Sequence, residues 1–239
     1  MSTGRNRREF LTADGLAAAA GTIGFSAPAQ RASAAKSTQP RAVKIVAVCC
    51  SPRKGRTTAA ALGAALFAAK QIGPNVETEL IELGGLSIPG EPAVGLPLPE
   101  GVKDDWPDVA PKLSDPAVRG ILIGTPVYFS NMSYLCKAFL DRWMTFRKTF
   151  ALADKVVGVL ACGGKRNGGQ ETAIRSVQDC LFCHNMIVVG TGRPQSRFGA
   201  AVWAKDFDMS RSMVGETVAA AQALGTRVAK VARGFTPAG

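Results

Sequence analysis

A run of hydroxyl and cationic side chains follows a short apolar stretch at residues 43–50. The run reads Ser-Pro-Arg-Lys-Gly-Arg-Thr-Thr, and an alanine-rich helix is predicted after it, over residues 57–71. The free N–H groups of a first helical turn and the positive end of the helix dipole both favour a bound anion. The run lacks the spacings of the common nucleotide loops, so it suits a single phosphate monoester or an ordinary capped turn. Five residues are candidate phosphate ligands: Ser51, Arg53, Arg56, Thr57 and Thr58.

Two further loops have compositions that suit a flat ring. Residues 125–131 (Thr-Pro-Val-Tyr-Phe-Ser-Asn) would place backbone and aromatic groups beside such a ring, and residues 163–169 contain four glycines. Glycine allows backbone N–H groups to approach a ligand closely. Taken singly, the first could be a turn with core aromatic residues and the second a flexible surface turn. The candidate residues are Pro126, Val127, Tyr128, Phe129 and Asn131 in the first loop, and Gly163, Gly164, Lys165 and Gly169 in the second.

Strand-like and helix-like patterns alternate along the chain around these loops. Short apolar runs predict strands at 43–50, 76–83, 118–124, 155–162 and 186–190. Helices are predicted at 57–71, 106–113, 132–146, 170–183 and 215–232. Residues 84–101 are rich in glycine and proline, so they must form a long excursion.

This alternation predicts an α/β fold, a doubly wound parallel sheet of five strands. The pattern suits the flavodoxin-like strand order 2-1-3-4-5, in which ligands bind at the carboxyl ends of strands one and three. The three polar loops follow strands one, three and four. We therefore expect them to converge on one crevice.

Three motifs resemble a known family. They are C-S-P-R-K-G-R-T-T at 50–58, T-P-V-Y-F-S-N-M-S-Y-L-C-K-A-F-L-D-R at 125–142 and G-G-Q-E-T at 168–172. Together they resemble the NAD(P)H-dependent FMN reductase and iron–sulfur flavoprotein family over residues 43–232, and the third is similar to FMN-dependent quinone oxidoreductases. The resemblance implies that the first loop holds the FMN phosphate. It also implies that 126–131 flank the isoalloxazine ring and that 163–169 close over its edge.

The resemblance implies an FMN-dependent oxidoreductase. Electrons would pass from NAD(P)H, or from another donor, to a quinone or similar small acceptor, and we expect a homo-oligomer. Hydride passes directly between nicotinamide and flavin in this chemistry, so no catalytic acid or base is nominated. Asp141 and Arg142 match the family pattern, and we expect a structural role for them. One alternative is a non-enzymatic flavodoxin-like electron carrier in the cell envelope. The basic composition and the absence of a T-x-T-G-x-T loop disfavour it. The other alternative is a non-catalytic exported fold with a vestigial pocket.

The cysteines depart from the family pattern. Iron–sulfur members carry a compact cysteine cluster between strands two and three, whereas residues 84–119 contain no cysteine, so we expect no metal centre there. Cys180-Leu-Phe-Cys183-His184 matches the attachment pattern of c-type haem. A redox pair or buried packing thiols are the other interpretations, and packing thiols suit the predicted helix.

Residues 1–35 are interpreted as an export signal that precedes a flavodoxin-like FMN-binding domain at 36–239. Arg7-Arg8 is followed by Phe10-Leu11, a weakly apolar run to Phe25 and then Arg31-Ala-Ser-Ala. This resembles a twin-arginine signal, whose route carries folded proteins to the periplasm or cell envelope. A disordered basic tail is the alternative. Nicotinamide cofactors are cytoplasmic, so either the signal is inefficient or the exported enzyme takes electrons from a donor other than NAD(P)H.

Charge and hydropathy exclude several classes of protein. The 239 residues carry a formal net charge of +11, but the lysines and arginines form no long block. Nucleic-acid binding is therefore not expected. No segment after the signal is long and apolar enough to predict a stable membrane span. A small-molecule electron acceptor is the expected partner.

Overall fold

The computed structural model describes residues 42–207 and 215–235, so the predicted export signal lies outside the described part of the chain. This part of the chain contains six strands and six α-helices. The strands are β1 (Val43–Cys49), β2 (Val76–Glu82), β3 (Val118–Pro126), β4 (Val156–Gly163), β5 (Ile187–Val189) and β6 (Ala200–Trp203). The helices are α1 (Thr57–Lys70), α2 (Trp106–Ser114), α3 (Tyr134–Asp141), α4 (Met144–Arg147), α5 (Gln170–Phe182) and α6 (Glu216–Gly234).

The sheet is parallel, with the order β2-β1-β3-β4-β5. The predicted α/β fold and flavodoxin-like strand order are therefore confirmed. The prediction of five strands was wrong by one, because β6 also pairs with β4. β5 covers the first part of β4, from Val156 to Gly158, and β6 covers the last part, from Leu160 to Gly163.

The predicted helix 132–146 is two helices. Ser133 caps the first, since Cys136 N donates to Ser133 Oγ at 3.1 Å. After Asp141 the backbone hydrogen bonds tighten to three-residue spacing, and Phe146 N donates to Trp143 O at 2.8 Å. Trp143 and Phe146 remain buried, so the hydrophobic spacing that predicted one helix continues across the break.

Each face of the sheet carries its own hydrophobic core. α2, α3 and α5 cover one face, which holds Val48 and Ile123, and α1 and α6 cover the other, which holds Ile45 and Leu160. The contact between α1 and α6 is close at Gly225: a Cβ built there would lie 1.9 Å from Ala65 O. The helix backbones therefore touch at this crossing.

Arg142 holds the long excursion between β2 and α2 in place. Its guanidinium forms a pair with Asp104, with Nη2 2.7 Å from Oδ2, and Nη1 donates to Pro89 O at 2.9 Å. Burial alone would raise the pKa of Asp104, but hydrogen bonds from Arg142 and from Trp106 N hold it below its ordinary value. Ser87 N donates to Asp105 at 2.8 Å. Arg142 thus has the structural role expected for it.

None of the helices at 42–207 and 215–235 is long and apolar enough to span a bilayer.

Candidate functional site

The first loop is a tight turn tied to β2. Ser51 is buried, and its hydroxyl lies 3.2 Å from both the N and the O of Arg53. Gly55 has φ +66 and donates its N–H to Glu82 Oε2 at 2.7 Å. A Cβ on Gly84 would lie 2.8 Å from Ser51 O, so only glycine fits beneath the turn.

The N-terminus of α1 has the character of an anion site. Arg56 is the N-cap in an extended conformation, and among the described residues no side chain caps the helix and no acidic residue lies in its first turn. The first N–H groups are thus available to an anion. Arg53 and Arg56 are exposed at the mouth, and Thr57 is half-buried. Thr58 is buried, and its hydroxyl lies beside the Cys162 thiol, where it opposes the rise in the pKa of that thiol caused by burial.

The second loop is a strained aromatic turn. Tyr128 and Asn131 exchange two backbone hydrogen bonds of 2.9 Å, and the residues between them, Phe129 and Ser130, have φ of 50° and 61°. Positive φ is unfavourable for a bulky residue, so the turn stores strain of the kind found at ligand sites. The Phe129 side chain is fully exposed. Pro126 ends β3, and Val127 N donates to Cys162 O at 2.9 Å.

A buried hydroxyl pair joins the first two loops, and the sequence analysis missed it. Ser133 Oγ donates to Cys50 O at 2.7 Å, while Ser133 N donates to Thr125 Oγ1 at 3.0 Å. Both side chains are fully buried. Ser133 comes directly before the helix, and a serine at this position is a recognisable N-cap signal. Its bond to the end of β1 depends on the sheet order and has no local signature.

The third loop touches the second at Gly169. This residue has φ +89, and a Cβ on it would lie 2.5 Å from Ser130 Oγ. The buried Gln170 side chain shapes the loop from within: Nε2 donates to Lys165 O at 2.6 Å, and Oε1 accepts from Gly168 N at 2.8 Å. Gly163 is buried beside Gln170, whereas Gly164 and Lys165 are exposed. Gln170 belongs to the G-G-Q-E-T motif, but the sequence alone gave it no role.

The three predicted loops therefore meet at the carboxyl edge of β1, β3 and β4. A cavity of about 510 Å³ adjoins the third loop and is lined in part by Arg166, Gly169 and Trp203. Trp203 Nε1 donates to Gly164 O at 3.3 Å, and the Arg166 guanidinium lies 4.5 Å from the indole centroid. Trp203 lies on β6, which the sequence analysis did not predict.

The six cysteines are free thiols, and four of them are buried. Burial raises the pKa of Cys49 to about 11 and that of Cys162 to about 12, so both are protonated at neutral pH. His184 is buried edge-on against Trp143, with 5.4 Å between ring centroids, and this packing opposes its use as a haem ligand. Within 42–207 and 215–235, no cluster of three or more His, Cys, Asp or Glu side chains could hold a metal ion.

The fold and these loops define a flavodoxin-like protein. A WrbA-like flavodoxin from Agrobacterium tumefaciens is similar, with a TM-score of 0.56 and 21% identity over 81% of this chain and 99% of the other. The apo form of an NADH:FMN oxidoreductase has a TM-score of 0.59 and 19% identity. The similarity covers 82% of this chain and 92% of the other.

The NADPH-dependent FMN reductase family model matches residues 43–199, and the chain belongs to this family. An iron–sulfur flavoprotein of Methanosarcina thermophila is 36% identical over 73% of this chain and 91% of its own length. An iron–sulfur flavoprotein of Methanocaldococcus jannaschii is 33% identical over 80% of this chain and 98% of its own length. The protein is thus an FMN-dependent oxidoreductase. The uncapped helix N-terminus and the exposed arginines suit the phosphate of FMN, and the aromatic turn suits its ring.

Proposed function

We propose that this protein passes electrons from a nicotinamide nucleotide, or from another donor, to a quinone or similar small acceptor. The observation that carries this proposal is the meeting of the three loops at one sheet edge, with a cationic helix N-terminus beside an exposed aromatic turn. The family name supports the nicotinamide donor. FMN supplies the redox chemistry when bound, so the residues of the chain have to bind, orient and shield.

Each loop has a separate task in this proposal. The first-turn N–H groups of α1, with Arg53 and Arg56 at the mouth, hold the phosphate. The Ser133 bridge to Cys50 O keeps the first two loops at a fixed separation. The contact of Gly169 with Ser130 closes the third loop on the second. The aromatic Tyr128 and Phe129 form the rim where a flat acceptor would stack.

The twin-arginine resemblance supports an export proposal. The route transports folded proteins, which suits a domain that takes up its cofactor before transport. A periplasmic enzyme would then use a donor other than free NAD(P)H. The choice of donor is therefore linked to the fate of residues 1–35.

The purified full-length protein tests the proposal. We expect a flavin spectrum with one FMN per chain, bleaching by NADPH or NADH without oxygen, and recovery of the spectrum with a soluble naphthoquinone. Arg56→Gln should weaken FMN binding about tenfold, because one charge-assisted contact is lost. Lys70→Gln, at the other end of α1, is the matched control.

The outcomes separate the alternatives. A protein that carries no flavin and binds none added would contradict the proposal. Flavin that accepts electrons only from dithionite would point to another donor or to the carrier function. Multiple turnovers with NAD(P)H and quinone would exclude a pure carrier.

A further inference from the structure

A second polar site lies on the flank of the sheet, away from the crevice. The loop between β5 and β6 faces α6 across a cavity of about 550 Å³, a volume in the range that holds a small ligand. We call this cavity the flank groove and define it by Thr191, Gly192, Arg193, Gln195, Arg227 and Lys230. α6 begins beside the end of β6, where Thr217 Oγ1 donates to Asp206 at 2.6 Å. Arg227 lies ten residues further along, about 15 Å from that point by helical rise.

The loop wall of the groove is preformed. Thr191 N donates to Arg197 O at 3.1 Å, Arg197 N donates to Thr191 Oγ1 at 3.0 Å, and Ser196 N donates to Gly192 O at 2.6 Å. A Cβ on Gly190 would lie 2.1 Å from Arg197 O, so the neck of the loop is closed at the backbone. Little ordering is therefore needed when a ligand binds, which favours affinity.

Three cations face the groove. Arg227 and Lys230 are three residues apart, so they share one face of α6, and Arg193 lies on the loop opposite. Arg227 lies against the loop backbone, since its Cδ is 3.3 Å from the Cβ position of Gly192, which has φ +71. Within 42–207 and 215–235, no carboxylate forms an ion pair with any of these three cations, and the groove has no acidic lining residue. Three like charges without a counter-ion favour a bound anion.

A buried acceptor adds a second requirement. Gln195 Oε1 is buried and has no hydrogen-bond partner. An unpaired buried acceptor is costly, and the phosphate group of a dianionic monoester cannot satisfy it because that group has no proton to donate. Gln195 lines the groove, so an O–H or N–H donor on the same ligand would satisfy this acceptor. The Thr226 hydroxyl also lines the groove.

The geometry points to a binding site for a phosphate ester that carries hydroxyl groups. The cations of Arg193, Arg227 and Lys230 hold the phosphate, and Gln195 accepts a hydrogen bond from a hydroxyl. A free sugar phosphate and a phosphatidylglycerol headgroup share this chemistry. The site does not depend on the proposed electron donor or acceptor.

Equilibrium binding to the full-length, FMN-loaded protein tests the site, with the phosphate loop already filled. The probes are inorganic phosphate, ribose 5-phosphate and vesicles of phosphatidylglycerol. Ribose 5-phosphate should bind more tightly than inorganic phosphate, and added salt should weaken both. Binding to ribose 5-phosphate assigns a free ligand, and binding to vesicles alone assigns a lipid headgroup.

Variants locate the binding. The double variant Arg227→Gln with Lys230→Gln should weaken binding at least about tenfold, because two charge-assisted contacts are lost. Gln195→Ala should weaken the binding of ribose 5-phosphate more than the binding of inorganic phosphate, because the sugar supplies further hydroxyl donors. Arg175→Gln, which removes a cation stacked on Phe198 outside the groove, is the matched control and should bind like the wild type. Retention of the flavin spectrum shows that each variant is folded.

Three results would overturn the site. The first is that no probe binds. The second is that Arg175→Gln weakens probe binding as much as the groove variants do. The third is that Arg56→Gln weakens probe binding and the groove variants do not. The last result would place the probe in the first loop of the crevice.

Discussion

Gly169 is the residue at which two of the three crevice loops touch. Its φ of +89 and the 2.5 Å between its Cβ position and Ser130 Oγ leave no room for a side chain. Gly169→Ala should push the third loop away from the second and weaken FMN binding by about tenfold or more, a loss of roughly 1.4 kcal/mol. Titration of the apoprotein with FMN, followed by flavin fluorescence, measures the change.

Gly63→Ala, on the exposed face of α1 and outside the three loops, is the control. A Cβ on Gly63 meets nothing within 4 Å, so the FMN affinity of this variant should match the wild type. Equal affinities in the two alanine variants would show that the contact with Ser130 has no part in the site.

Lys155 is a buried cation at the opposite end of the sheet. Its ammonium donates to Asp115 O at 2.8 Å and to Val118 O at 2.6 Å. Burial, with the nearby Arg119 charge, lowers its pKa from 10.5 to about 8. Between these two values the unfolded chain binds more protons than the folded one. The contribution of Lys155 to the free energy of unfolding should therefore rise from pH 8 to 10.5.

Comparison with Lys155→Met isolates this effect. The buried thiols of Cys49 and Cys162 titrate in the opposite sense, because their pKa values are raised, so the measured quantity is the difference between the two proteins. Urea unfolding should show that the wild type gains stability relative to Lys155→Met as pH rises through this window. Parallel curves would show that the ammonium is not disfavoured in the fold.

Residue types in the crevice were easier to predict than the contacts between them. The first loop has hydroxyl side chains and arginines next to the start of a helix, so its candidate phosphate ligands can be predicted from the local sequence. Gln170 and Ser133 act through bonds to Lys165 O and Cys50 O, and these partners become visible only in three dimensions. Whether the predicted ligand residues contact FMN stays a prediction.

At the scale of elements, α1 and α6 depend on one glycine. Gly225→Ala would place a Cβ 1.9 Å from Ala65 O, so the helices must separate. We expect a loss of about 2–3 kcal/mol in the free energy of unfolding, as for other overpacked cores. Gly63→Ala on the exposed face of α1 meets nothing within 4 Å and should gain about 0.5–1 kcal/mol through helix propensity. Urea denaturation of both variants measures the difference, and similar midpoints would contradict the close crossing.

The elements predicted well are those with a clear local signal in the sequence. β1, β3 and β4 are continuous apolar runs, and α1 is bounded by a polar turn and Gly73-Pro74. β6 was missed because its four residues, Ala-Ala-Val-Trp, follow a glycine-rich and proline-rich segment and carry little strand signal. The break between α3 and α4 was missed because Leu135, Phe139, Trp143 and Phe146 keep helical spacing across it.

At the scale of the whole molecule, the export proposal makes a clear prediction. Replacing Arg7 and Arg8 by lysine should keep the protein in the cytoplasm, because the twin-arginine route depends on that pair. Cell fractionation with flavin fluorescence measures the location. The matched variant Arg41→Lys, outside the signal, should be exported like the wild type. Export of both proteins, or of neither, would contradict the interpretation of residues 1–35.

The division of the edge strand into β5 and β6 affects how the protein resists self-association. An uninterrupted edge strand presents a row of free backbone groups to which another chain can add. Here that edge is broken into pieces of three and four residues by the loop at 190–199. The opposite edge, β2, carries Glu77 and Glu79, and Glu79 is paired with Lys44 and Lys112. Both margins of the sheet are thus poor templates for amyloid-like growth.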